Sequence, residues 1–147
     1  MKKILIILFL ISSLFSESID IDRASEVARF FYNSRSENVE INSQTAVITM
    51  HAMEQLGSAF KPFLDYILRK RPRLIFHIEP VFELYNPDKL FDELAVKYHE
   101  KRNYLKGYLP TLKKLEGKGK IEILEVRRFF FGGLFHEPYS LVAWKVK

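Results

Sequence analysis

Cysteine is missing from all 147 residues, which excludes a disulfide scaffold and any cysteine-ligated zinc or iron–sulfur centre. Glycine is scarce, at six, and the first is Gly57, so no collagen-like or low-complexity repeat exists. No two histidines stand four apart and no His-Glu-x-x-His occurs, leaving no signature of metal catalysis. Gly-x-Ser-x-Gly is also absent, so Ser140 and His136 do not build a nucleophile elbow. Charge of one sign is weak: 23 Lys+Arg face 18 Asp+Glu, a net +5 far from the dense basic stripe that makes nucleic acid the default partner. What the chain has is 48% apolar residues, enough for one domain with a real core.

The longest apolar run is Ile4 to Phe15, interrupted by Ser12 and Ser13 and preceded by Lys2 and Lys3. As a helix it rises about 18 Å, short of the roughly 30 Å hydrocarbon core, which disfavours a spanning anchor and leaves an uncleaved membrane-associated start as a minor reading. With Ser16-Glu17-Ser18 behind it, residues 1–18 have the layout of a signal peptide, the alternative being a buried hydrophobic strand or a misassigned start. The first reading implies export and the second the cytoplasm.

Beyond it the apolar period alternates between helix and strand. Ala24, Val27, Ala28 and Phe31 predict a short helix, and Val39 to Ile41 a short extended piece. Thr45 to Met50 is β-branched and almost unbroken in apolarity, a strand buried on both faces. Met53, Leu56, Phe60, Phe63, Leu64, Ile67 and Leu68 mark a helix that Pro62 kinks or divides and Pro72 closes. Leu74 to Ile78 is a second buried strand. One long helix is then predicted, capped by Asn86, with Pro87 in its first turn and an apolar stripe from Leu90, Phe91 and Leu94 to Leu115, stopped by Gly117 and Gly119. Two last strands, 120–131 and 139–146, are joined so closely that they should be antiparallel neighbours.

Strands alternating with helices imply an α/β fold: a Rossmann-like, mostly parallel sheet with helices on both faces and an antiparallel C-terminal strand pair. Ligands of such sheets bind outside the carboxyl ends of the strands. There stand His51 and Glu54, after the first internal strand, and Glu79, Glu83 and Tyr85, after the second. His51 suits proton abstraction, though a ring that merely satisfies a carbonyl is an equal reading. Glu54 lies three residues on, placed to orient His51 or to serve as a first-turn charge. A carboxylate at position 79 suits a sugar hydroxyl or an amino group. His77, inside an apolar strand, reads as a hydrogen-bonded core residue. His99 and Arg102 crowd one helix turn, where Arg102 offers a bidentate grip on an anion or only a solvated basic face. His136 and Glu137 occupy a turn on the substrate side.

Thr49-Met50-His51-Ala52-Met53-Glu54-Gln55-Leu56 resembles the segment after the fourth strand of class I S-adenosylmethionine-dependent methyltransferases. His77-Ile-Glu79-Pro80-Val with Glu83-Leu-Tyr85, Lys97-Tyr-His99-Glu-Lys-Arg102-Asn103-Tyr104, and Phe131-Gly-Gly-Leu-Phe-His136-Glu137-Pro-Tyr139-Ser resemble the distal half of a bacterial subgroup of the same family. The resemblance covers residues 42–147. It implies S-adenosylmethionine as cofactor and a small or sugar-like acceptor, with His51, Glu54 and Glu79 catalytic. Asp20, Met50 and His51 would lie at the cofactor, and Glu83, Tyr85, His99, Arg102, His136 and Glu137 at the acceptor. One departure stands out: the family's glycine-rich turn after its first strand has no counterpart, since Leu8 to Phe15 follow Lys2 to Ile7. Residues 19–147 are therefore expected to form a partial domain that has lost most of its cofactor half. Its uncovered sheet edge would invite self-association or a partner chain. Two other functions fit the sequence: an exported α/β protein binding an anionic envelope component through the basic run 97–120, and a non-catalytic interaction module.

Overall fold

The computed structural model describes residues 3–8, 41–130 and 139–147. Five strands form one sheet: β1 Lys3–Leu8, β2 Thr45–Met50, β3 Leu74–Glu79, β4 Ile121–Arg128 and β5 Ser140–Val146. Their order is β1-β2-β3-β5-β4. The β2-β3-β5-β4 part is mixed, with β2 parallel to β3 and β5 antiparallel to both of its neighbours, while β1 adds a parallel ladder beside β2. The molecule is thus α/β.

The last pair is antiparallel as expected, with β5 inside, between β3 and β4, and β4 at the edge. This insertion leaves β4 parallel to β3 although the strand between them runs the other way. The edge expected to be open beside β2 is taken by β1, so the outer parallel edge belongs to β1. The predicted helix over residues 23–32, and Asp20, His136 and Glu137, lie outside the described residues.

Three helices are described: α1 Lys61–Lys70, α2 Leu90–Arg102 and α3 Tyr108–Gly117. Pro62 sits in the first turn of α1, where its missing N–H costs nothing, and a separate 3-10 turn, Met53–Leu56, precedes it. Proline therefore divides the predicted helix rather than kinking it. The long helix after Asn86 is also two. Asn86 caps a turn by accepting from the Asp88 amide at 3.0 Å, and α2 starts only at Leu90. Asn103 and Gly107 both take left-handed backbone, at φ 50 and 85, which ends α2 and redirects the chain into α3. The stripe expected along one axis is broken with it. Leu105, Leu109 and Leu112 are buried, whereas Leu90 and Phe91 are 69% and 74% exposed and Asp92, Ala95 and His99 turn inward.

Burial alternates along β2 and β3, so one face is sealed and the other half-covered, not both sealed as the apolar runs suggest. On the sealed face Val47, Ile75 and Trp144 form one row and Thr49, His77 and Val142 the next. Phe63, Leu64 and Ile67 of α1 and Tyr108, Leu109 and Leu112 of α3 pack over these rows. Each such fully buried side chain contributes on the order of 2 kcal/mol of apolar transfer free energy. No helix among the described residues is long and apolar enough to cross a membrane.

Candidate functional site

β2 and β3 run parallel, so their carboxyl ends lie side by side, and the strand periodicity aims Thr49, His77 and Glu79 at the sealed face. His51, the residue after β2, continues the ladder through its N–H to the Ile78 carbonyl at 3.3 Å. It then turns the chain sharply with φ 51, a left-handed conformation that costs a residue bearing Cβ about 1 kcal/mol or more. The turn points its amides back at β3. Ala52 N–H donates to Glu79 Oε1 at 3.1 Å and Glu54 N–H to Glu79 Oε2 at 3.3 Å. Hydrogen bonds to a carboxylate are individually worth about 1.5–3 kcal/mol, more than the backbone strain they offset.

Glu79 is fully buried, and burial together with the nearby Glu54 carboxylate pushes its carboxyl up to about 7, against the pull of the turn's amides and the Thr49 hydroxyl. The Glu54 side chain stands on the turn itself. Its Oε2 lies 3.3 Å from His51 Nδ1 and its Oε1 accepts from Gln55 Nε2 at 3.0 Å. The hydrogen bond to Glu54 raises the His51 imidazole above the ordinary histidine range, with burial opposing and the Glu79 charge adding. The His51 side chain keeps 30% exposure, and its ring meets Tyr139 edge-on at 4.9 Å between centroids. With Nδ1 facing Glu54, Nε2 is the nitrogen left for a ligand's proton. The arrangement is a half-exposed imidazole backed by one carboxylate, on a turn braced by a second.

Behind it lies a buried polar row that sequence patterning did not expose. His77 Nδ1 stands 2.8 Å from Thr49 Oγ1, while His77 Nε2 meets the Tyr108 hydroxyl at 2.7 Å and Trp144 Nε1 at 3.0 Å. Indole N–H can only donate, so Nε2 accepts and the neutral ring carries its proton on Nδ1. Burial keeps that ring neutral, lowering it to about 3. Thr49, Tyr108 and Trp144 gave no signal because a threonine in a β-branched strand and aromatics on an apolar face look like packing.

The substrate-side candidates separate. Tyr85 and His99 are brought together, ring centroids 5.1 Å apart, with Phe82 and Tyr104 around the same imidazole at 6.2 and 5.4 Å. A cleft of about 430 Å³ opens there, bounded by Phe82, His99, Tyr104, Lys106 and Gly107. None of His51, Glu54 and Glu79 lines it, although Leu105 N–H, next to Tyr104, donates to the Glu54 carbonyl at 3.1 Å, and burial and the Glu54 charge both raise the Tyr104 hydroxyl. Glu83 is spent on the Gly107 amide, and Arg102 lies over the Tyr98 ring at 5.6 Å rather than toward an anion. Met50 ends β2, half-buried. Among the described residues no group of His, Asp and Glu side chains could hold a metal ion. The chain matches no family model, no curated protein and no solved structure.

Proposed function

We propose that the chain is a class I methyltransferase-like protein, Rossmann-like in fold, whose described part is the half that activates the acceptor. The observation carrying this reading is the convergence of His51, Glu54 and Glu79 at the joined carboxyl ends of two parallel strands, where α/β sheets receive ligands. The antiparallel C-terminal pair after a parallel run, expected from the short link between those strands, is compatible with it.

Only Met50 and His51 of the expected cofactor contacts lie within the described residues, and the Glu79 oxygens are engaged by the turn. These residues do not by themselves form a holder for S-adenosylmethionine. The acid–base part stands on this chain alone. A hydroxyl or amine of a small or sugar-like acceptor gives its proton to His51 Nε2 as it becomes nucleophilic. Glu54, at Nδ1, orients the ring and stabilises the imidazolium that forms. The reading brings a cytoplasmic location with it, because S-adenosylmethionine is a cytoplasmic metabolite.

Calorimetry with S-adenosylhomocysteine tests it. A dissociation constant well below 1 mM, beyond about 4 kcal/mol, supports a dedicated cofactor site, and no measurable heat removes the cofactor from the proposal. A second reading, the interaction module, draws on Leu90, Phe91 and Phe130, which are 69%, 74% and 75% exposed.

A further inference from the structure

Basic side chains collect at the end of the sheet opposite His51. Arg69 and Lys70 close α1, and Arg71 and Arg73 lead into β3. Lys114 stands in the last turn of α3, Lys118 and Lys120 lead into β4, and Lys145 and Lys147 finish β5. Hydrogen bonds tie these segments together. The Arg71 guanidinium donates to the Lys147 carbonyl, Lys147 N–H to the Lys120 carbonyl at 3.1 Å, and Arg73 N–H to the carbonyl of Thr45, the first residue of β2, at 2.8 Å. In residues 69–73, 114–122 and 145–147 nine cations meet two acids, a net +7, whereas the whole chain carries +5, so everything else is net −2. Both acids are spent: Glu116 on the Ile123 amide at 2.8 Å and Glu122 on Lys145 at 3.1 Å. The other eight cations are exposed and have no acidic partner among the described residues. Arg69, Lys70 and Lys114 suit the negative ends of their own helices, but Arg73, Lys120 and Lys147 have no helix to complement.

We propose that this end of the molecule is a docking surface for an anionic lipid bilayer. Charge complementarity is the ground for a polyanionic partner, and shape selects which one. The starts of β3 and β4 and the finish of β5 span about 10 Å, and the ends of α1 and α3, packed on one face, widen them into a two-dimensional field. A plane of headgroups meets all of it at once. One phosphodiester strand meets a single row, and both helices present carbonyl ends rather than the amide ends that hold phosphates. The exposed large apolar side chains among the described residues, Leu90, Phe91, Leu94, Leu124 and Phe130, all lie outside these stretches, so the attachment is electrostatic and yields to salt. β2 and β3, six residues each and about 20 Å long, then hold His51 and Glu79 on the side away from the membrane. The inference does not rest on the proposed function, and its test contains no cofactor.

Flotation of the full chain with lipid vesicles tests it. Vesicles with about a third phosphatidylglycerol should carry the protein at low salt, vesicles of phosphatidylcholine alone should not, and salt of about 1 M should release it. Each Lys or Arg near such a surface is worth about fivefold in affinity, so Arg73→Gln, Lys118→Gln and Lys120→Gln together should weaken binding about a hundredfold. Lys89→Gln, Lys97→Gln and Lys101→Gln together remove the same charge from exposed positions at and along α2, and should weaken it by no more than about threefold. If the first triple variant does not fold, Arg69→Gln, Lys70→Gln and Lys114→Gln together carry the test. No flotation with the anionic vesicles overturns the proposal. So do equal losses from the triples at the two places, equal binding to neutral vesicles, or tighter binding to duplex DNA than to the anionic vesicles.

Discussion

Replacing Glu79 by glutamine should alter how stability depends on pH more than stability in acid. In the folded protein this carboxyl holds its proton up to about pH 7, while in the unfolded chain it ionises near 4.5. Between those values the native state binds the extra proton and unfolding releases it, so stability falls as pH rises through the window. At about 1.4 kcal/mol for each tenfold change in proton affinity, the loss is about 3 kcal/mol, and with no exposed surface on Glu79 solvent screening takes little from it. His77 acts in the opposite sense. Its ring stays neutral in the fold down to about 3 but protonates near 6.5 when unfolded, so its contribution grows with pH across that range. The two slopes offset one another from about 4.5 to 6.5, which would hide Glu79 in the wild-type curve. The difference between wild type and Glu79→Gln cancels His77 and isolates the carboxyl. Urea unfolding of both proteins from pH 4.5 to about 8.5 should show the wild-type advantage shrinking by about 3 kcal/mol. A difference that stays flat across that range refutes the buried, amide-held carboxyl.

Gly57→Ala should cost about 2 kcal/mol, because φ is +54 and an added Cβ would meet the Asn103 carbonyl at 2.7 Å; a melting temperature within a degree of wild type would contradict this close approach. Asp92→Asn breaks a two-bond pair with Arg128, both bonds 2.8 Å, between side chains only 8% and 15% exposed, and should cost about 2 kcal/mol at neutral pH. The hydrogen bond to Arg128 holds the Asp92 carboxyl below its ordinary 3.8, so that contribution is present above this value and lost as pH falls through the lowered one; the two proteins should converge in strong acid. Phe91→Asp should change stability by no more than about 0.5 kcal/mol, as its ring is 74% exposed, and a much larger loss in denaturant titration would show the ring to be covered.

Local chemistry made the strands legible. Thr45–Met50 coincides with the predicted segment because β-branching and unbroken apolarity leave no alternative, and the close link between β4 and β5 dictated their antiparallel pairing. The elbow at Asn103–Gly107 was not legible, because Leu105, Leu109 and Leu112 continue the helical period begun by Leu90 and Leu94 while belonging to a different helix axis. Only the left-handed Asn103 and Gly107 separate the two, and neither residue type demands that conformation in isolation. The insertion of β5 between β3 and β4 is tertiary information, invisible to any local period.

The site divides along the same line. His51 and Glu54 could be paired from a spacing of three, and the end of a strand brought Glu79 near them, since strand ends of a parallel sheet converge whatever their sequence. What the sequence suggested for Glu79 was contact with a ligand's hydroxyl or amino group. The structure gives each of its two oxygens a backbone amide of the His51 turn. His77 shows why this second level stays hidden. As a type and position it reads as a core histidine, and it is one. Its tautomer, and with it the direction in which the Thr49 proton points, is decided by Trp144, 67 residues away along the chain. A hydrogen-bond direction set across three strands has no one-dimensional trace.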